Sequence, residues 1–108
     1  MGAPGFKVVI TDSALGDLHA IDDYWTNRGE PERGAKYFED LMRTAESDLT
    51  DDARVKRGRL IKNAPLPDTR EILVFKSSYR VIYRIAENEQ TVFVLRFWHS
   101  HRDETFGE

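Results

Sequence analysis

Apolar residues recur with a helical period in the first half of the chain and alternate in the second. Ala14, Leu18, Ile21 and Trp25 fall on one stripe, widened by Leu15 and Tyr24, as on one face of an amphipathic helix. Asp17, Asp22 and Asp23 lie off that stripe. Thr11 or Asp12 supplies a side-chain oxygen for the free amides at the helix start. Arg28-Gly29 ends it, with glycine free to take a left-handed turn. Pro31 suits the first turn of a second helix, where its missing amide costs nothing. That helix carries the stripe Ala35, Phe38, Leu41, Met42, Ala45 and Leu49. So short a link predicts an antiparallel helix hairpin. Ahead of it, Phe6–Ile10 (FKVVI) predicts a first strand.

The last third reads REILVF, YRVIYRI and VFVLRFWHSHRD, three strand-like segments predicted at 70–76, 79–86 and 91–99. Lys76-Ser77-Ser78 and Glu87-Asn88-Glu89 separate them as turns. Alternation puts Tyr79, Val81, Tyr83 and Ile85 on one face of the middle strand and Arg80, Ile82 and Arg84 on the other. The same rule groups Val92, Val94, Arg96 and Trp98 against Phe93, Leu95, Phe97 and His99. Residues 50–68 show no clear period. They run from acidic (Asp51, Asp52) through basic (Arg54, Lys56, Arg57, Arg59, Lys62) to Ala64-Pro65-Leu66-Pro67. A connection this long is uncommon in a compact domain and is usually functional or mobile. Leu60 and Ile61 are its expected anchors to the core.

With 108 residues, the chain accommodates one domain. It contains no cysteine, which excludes a disulfide framework and a thiolate metal site. No apolar run reaches the roughly 18–20 residues of a membrane-spanning helix, and the N-terminus lacks signal-peptide architecture. A cytoplasmic protein without membrane contact is the expectation. Charge is unevenly distributed. Residues 1–53 carry 5 Lys/Arg against 12 Asp/Glu, a balance of −7; residues 54–103 carry 11 against 5, a balance of +6. Either two faces are simply solvated, or the strand half offers a cationic patch to an acidic partner.

The element order resembles that of the RelE/ParE toxins of type II toxin–antitoxin modules, over nearly the whole chain. The carrying residues are A-x-x-D-L-x-x-I-x-x-Y (Ala14, Asp17, Leu18, Ile21, Tyr24), then Ala35 and Phe38, Arg70, and Tyr79 to Ile85 (YRVIYRI). The ending His99-x-x-Arg102-Asp103 is similar to the close of ParE-like, plasmid-stabilisation members. This resemblance implies a single α+β domain over 1–108, with a strand, a helix hairpin and a three-stranded antiparallel meander, the helices packed on the sheet. It also implies a toxin neutralised by a cognate antitoxin. ParE-like members poison DNA gyrase without catalysis; RelE-like members cut messenger RNA in the ribosomal A site; a degenerate, non-toxic member would only bind its partner and co-repress an operon.

Metal-free RNA cleavage needs a base, an acid and stabilisation of an anionic phosphate. Arg70, Arg80 and Arg102 are the candidates for the anion, and His99 or His101 for proton transfer. Lys56, Arg57 and Arg59 lie where RelE-like enzymes present lysines. RelE-like members also carry a tyrosine after the final basic cluster, whereas this chain has Phe106, which neither donates nor accepts a proton. The ParE-like reading is therefore favoured. In it Lys56, Arg57, Arg59, Tyr79, Trp98 and His101 are target- or partner-binding candidates. Each has a structural alternative: His99 as a hydrogen-bonded strand end, Arg70 and Arg80 paired to carboxylates such as Glu71 or Asp103. His99-x-His101 lacks a third ligand, so no metal is expected, and no cofactor is implied. Self-association as a homodimer stays open.

Overall fold

The computed structural model describes residues 5–100. Strand β1 (Lys7–Ile10) leads into helix α1 (Asp12–Asn27), helix α2 (Pro31–Asp48) and a short helix α3 (Asp52–Val55). Strands β2 (Arg59–Leu60), β3 (Thr69–Val74), β4 (Tyr79–Ala86) and β5 (Thr91–His99) follow. The three helices pack on one five-stranded mixed sheet of order β1-β5-β4-β3-β2. The antiparallel meander β3-β4-β5 is as expected. Two features are additional: β1 joins the sheet parallel to β5, and the unassigned stretch contributes α3 and the edge strand β2. No helix among the described residues is long and apolar enough to cross a membrane.

Local chemistry explains the helix hairpin. Thr11 caps α1, its hydroxyl accepting from the Ala14 amide. At the other end Gly29 takes φ +84°. The Glu30 amide donates to the Trp25 carbonyl and the Gly29 amide to Thr26, the paired bonds that close a helix onto a left-handed residue. The α2 stripe holds at Phe38, Leu41, Met42, Ala45 and Leu49 and differs from the expected one only at its start. Ala35 is exposed, while Gly34 is buried against α1. A β-carbon at Gly34 would lie 2.7 Å from the Asp22 carbonyl oxygen, so only glycine permits this approach. Leu60 was an expected anchor of the 50–68 stretch but is 51% exposed. Val55, fully buried on α3, takes that role, because α3 turns its apolar residue inward before the two-residue edge strand begins.

The core lies between helices and sheet. Leu18, Leu41, Ala45 and Leu49 meet Val81, Tyr83, Ile85, Val92, Val94 and Phe97. The middle strand alternates as expected, but β5 does not. The pairing of β4 with β5 shifts register between Ile82 and Tyr83, which sit opposite Arg96 and Val94. Leu95 is therefore an extra residue, a β-bulge, and side-chain parity reverses beyond it. Val92 and Val94 face the helices with Phe97 and His99, whereas Arg96 and Trp98 join Phe93 on the opposite face. The expected grouping of Arg96 and Trp98 with Val92 and Val94 is corrected accordingly.

Beside the bulge, α1 takes over from β1. The parallel pairing stops at Ile10–Val94. Thr11 then donates both its amide (3.1 Å) and its hydroxyl (2.7 Å) to the Val94 carbonyl. One helical turn further on, Asp17 accepts the Phe97 amide at 3.0 Å and both arms of the Arg96 guanidinium at 2.8 Å. The β3–β4 turn is strained. Phe75, Lys76 and Ser77 have φ of 53°, 54° and 67°, and left-handed backbone costs a non-glycine residue about 1–2 kcal/mol.

Replacing Asp17 with alanine strands a backbone amide and a guanidinium at a largely buried position. Charge-assisted hydrogen bonds contribute about 1.5–3 kcal/mol each and are not additive. Urea denaturation of Asp17→Ala should show a loss of about 2–3 kcal/mol; a change below about 0.5 kcal/mol, the range of an ordinary surface substitution, would show that the contact is incidental.

Candidate functional site

Among the described residues, the expected catalytic cations Arg70 and Arg80 do not converge. Arg70 pairs with Tyr83 across β3 and β4, on the helix face. Its Nε donates to Asp68 at 2.9 Å, and its Nη1 to the carbonyls of Lys56 (3.0 Å) and Gly58 (3.1 Å). The Tyr83 hydroxyl donates to the Val55 carbonyl from the same side. Arg70 and Tyr83 thus hold the α3–β2 segment against the sheet. The Arg70 guanidinium is committed to holding three oxygens of the scaffold in place.

Arg80 lies on the opposite face. It stands across from Leu73 on one side and Trp98 on the other. Its guanidinium is 5.4 Å from the Trp98 ring and 3.8 Å from Glu71. Glu71 also holds Arg59 at 3.2 Å, and Arg96 flanks Trp98 at 5.0 Å. Arg59, Arg80, Arg96 and Trp98 form a cation–aromatic surface on the face the helices leave uncovered. Clefts of about 420 and 370 Å³ meet there around Arg59, Glu71 and Arg80, with Leu60 and Leu73 each 51% exposed beside them.

His99 sits on the helix face at the end of β5. Its ring meets that of Tyr79 edge-on at 5.3 Å. It lines a cleft of about 300 Å³ with Asp17, Ile21, Tyr24, Trp25, Tyr79 and Phe97. Arg70 lies four residues along the sheet from this row, since Arg70 pairs with Tyr83 and His99 with Tyr79; at about 3.3 Å per residue that is roughly 13 Å. Lys56 ends α3 and is held by Glu87 at 2.9 Å and Asp52 at 3.3 Å. The Glu87 contact, then Asp52, holds its ammonium above the usual lysine range. Arg57 is exposed and forms no ion pair with the described residues. His101 and Arg102, with Asp103 and Phe106, lie outside the described residues.

The contacts of Asp17 and the place of Phe75 escaped the sequence reading. Asp17 was visible as a motif residue lying off the apolar stripe, a signal that its carboxylate is needed for something other than solvation. Tyr37 and Phe75 extend the aromatic cluster: Tyr37 stacks on Trp25 at 5.8 Å and meets Tyr79 and Phe75 at 5.4 and 6.2 Å. Burial raises the Tyr79 hydroxyl above its ordinary range. It also pushes Tyr83 up to about 12, with the nearby Arg70 charge opposing the shift.

A raised tyrosine pKa makes the folded state hold its proton while the unfolded chain, titrating near 10, releases it. Stability is therefore whole below about pH 10 and falls as pH rises toward about 12. Denaturation midpoints at about pH 9 and about pH 11 should diverge in the wild type and diverge less in Tyr83→Phe. Equal divergence in both would show that Tyr83 does not carry the effect.

The chain matches the family model described as the ParE toxin of the type II toxin–antitoxin system parDE over residues 8–104. No curated protein sequence matches it significantly. Among solved structures it is similar to the chromosomal ParDE toxin–antitoxin system from P. aeruginosa, at 21% identity and a TM-score of 0.69, covering 87% of this chain and 95% of that one. A RelBE toxin–antitoxin complex from Mycobacterium tuberculosis shares 25% identity at a TM-score of 0.63, covering 88% and 98%. A mutant of E. coli RelE in the free state shares 18% identity at 0.61, covering 90% and 85%. With nearly its whole length matched, the chain belongs to the ParE toxin family of type II toxin–antitoxin systems.

Proposed function

We propose that this toxin inhibits growth by binding DNA gyrase rather than by cutting RNA, and that a cognate antitoxin neutralises it. The observation that carries the reading is the division of its cations between two faces. An RNA-cleaving site needs a phosphate-binding cation and a proton-transfer group that converge on one phosphodiester. Arg70 is bound into the scaffold of the helix face. Arg80 lies on the other face, and the sheet stands between it and the His99 ring. The surface of Arg59, Arg80, Arg96 and Trp98 has the composition of a binding face: arginine and tryptophan are the residues most often dominant at protein interfaces.

A protein partner also fits the charge distribution. The strand half carries +6 and the helix half −7, so an acidic antitoxin segment would be drawn to the sheet. The toxin–antitoxin complexes among the similar structures support such a partner for this chain. The candidates Tyr79 and Trp98 are both largely buried. In this reading they and the largely buried Arg80 shape the surface, while the exposed Arg59 provides its charge.

Purified toxin should inhibit gyrase-catalysed supercoiling of relaxed plasmid, and added antitoxin should restore it. Arg59→Glu with Arg80→Glu should weaken inhibition at least about tenfold, the effect of losing about 1.4 kcal/mol at an interface. Full supercoiling at toxin concentrations that stop growth would rule gyrase out as the target.

A further inference from the structure

We infer that the cleft between α2 and the β3–β4 turn is a second docking site, taking an acidic peptide segment with an aromatic anchor. The cleft encloses about 470 Å³ and is lined by Arg33, Lys36, Tyr37, Asp40, Phe75 and Lys76. That volume lies within the usual range for ligand sites, about 300–1,000 Å³. It is separate from the cation–aromatic surface of the uncovered sheet face. The inference does not depend on gyrase being the target.

Its floor is apolar and rigid. Tyr37 and Phe75 meet at 6.2 Å, and Tyr37 is held from behind by Trp25 and Tyr79. An inserted aromatic ring would find edges and faces already fixed, with little side-chain entropy left to lose. The rim is cationic. Three cations line the cleft against one carboxylate, Asp40. Arg33 is placed over the Trp25 ring at 4.6 Å and also pairs with Glu30 at 3.3 Å. Lys36 pairs with Asp40 at 3.0 Å while remaining 77% exposed. Exposed pairs of this kind are weak, so an incoming carboxylate exchanges with them readily. Lys76 forms no ion pair with the described residues.

The turn provides a second, independent argument. Three consecutive non-glycine residues, Phe75, Lys76 and Ser77, are held left-handed. The Ser78 amide closes the turn onto the Phe75 carbonyl at 3.1 Å, and the Ser100 amide fixes the Ser78 carbonyl at 2.8 Å. Asn-Gly would form such a turn without strain. The residues present instead bring a phenyl ring and an ammonium to the cleft. Backbone strain that surroundings over-determine is characteristic of ligand clamps and switch regions.

Charge selects a peptide over a nucleic acid. Arg33 and Lys36 come from the half of the chain whose balance is −7, and Lys76 from the β3–β4 turn of the other half. Asp40 lines the cleft, and Glu30 is paired with Arg33 at its rim. A polyanion with a phosphate at every step would be repelled by these carboxylates. A peptide places carboxylates that flank an aromatic residue at the rim and the ring on the floor, which a phosphate backbone does not.

The test titrates full-length, isotope-labelled toxin with acetylated, amidated Glu-Glu-Phe-Glu-Glu and follows backbone amide shifts. Parallel titrations use Lys-Lys-Phe-Lys-Lys and a short oligothymidylate. Shifts confined to residues 33–40 and 75–77 are expected with the acidic peptide alone. Lys36→Glu with Lys76→Glu, both at exposed positions, should weaken binding at least about fivefold, within the usual size of an interface charge effect. Lys7→Glu, remote on β1, should leave it unchanged. Absence of shifts, shifts centred on the Arg59–Arg80 face, equal affinity after charge reversal, or tighter binding of the oligonucleotide would each overturn the inference. Gyrase inhibition assayed on the same variant reports on the other reading separately.

Discussion

One carboxylate connects the two halves of this protein. Asp17, on the second turn of α1, accepts the Phe97 amide and both arms of the Arg96 guanidinium. Those groups need a partner because β1 is short. It covers the β5 edge only as far as Val94, and a buried amide left unpaired costs about as much as a lost hydrogen bond. Thr11 uses the next acceptor while capping α1, and Asp17 satisfies the donor beyond it. Strand edge, helix cap and side chain thus succeed one another along a single stretch of β5.

The same contact stabilises the bulge at Leu95, and the bulge decides the function-bearing surfaces. Without it, strict alternation would place Trp98 and Arg96 in the core and Phe97 and His99 outside. With it, Phe97 is buried beneath α1, while Trp98 lies between Arg80 and Arg96 on the uncovered face. His99 is left at the rim of the aromatic cleft, on the other side of the sheet from Arg80. A single inserted residue therefore separates a proton-transfer candidate from a phosphate-binding one.

Much of this fold was legible because its signals are local. The stripes of both helices, the Gly29 turn, the proline at the start of α2 and the alternation of Tyr79, Val81, Tyr83 and Ile85 each follow from a rule spanning a few residues. The parity change in β5 follows from no such rule: Leu95 is an ordinary strand residue, and the extra residue shows only in the pairing with β4 and the hold of Asp17. The parallel pairing of β1 with β5 joins segments more than eighty residues apart, so nothing near β1 announces it. The 50–68 stretch lacked a period because α3 and β2 are too short to have one; they are fixed by Tyr83 and Arg70 reaching across from the sheet. At the candidate site, the residue types were visible in the sequence. Their distribution over two faces was not.

The separation of the cations is tested most directly on RNA. Purified toxin, free of antitoxin, would be added to ribosomes stalled on a defined messenger, and the RNA 5′ ends mapped by primer extension. The account predicts intact messenger at toxin concentrations that inhibit gyrase. Cuts within the A-site codon that disappear in Arg80→Ala and in a His99→Ala variant would contradict it, since they would show the two faces acting as one active site.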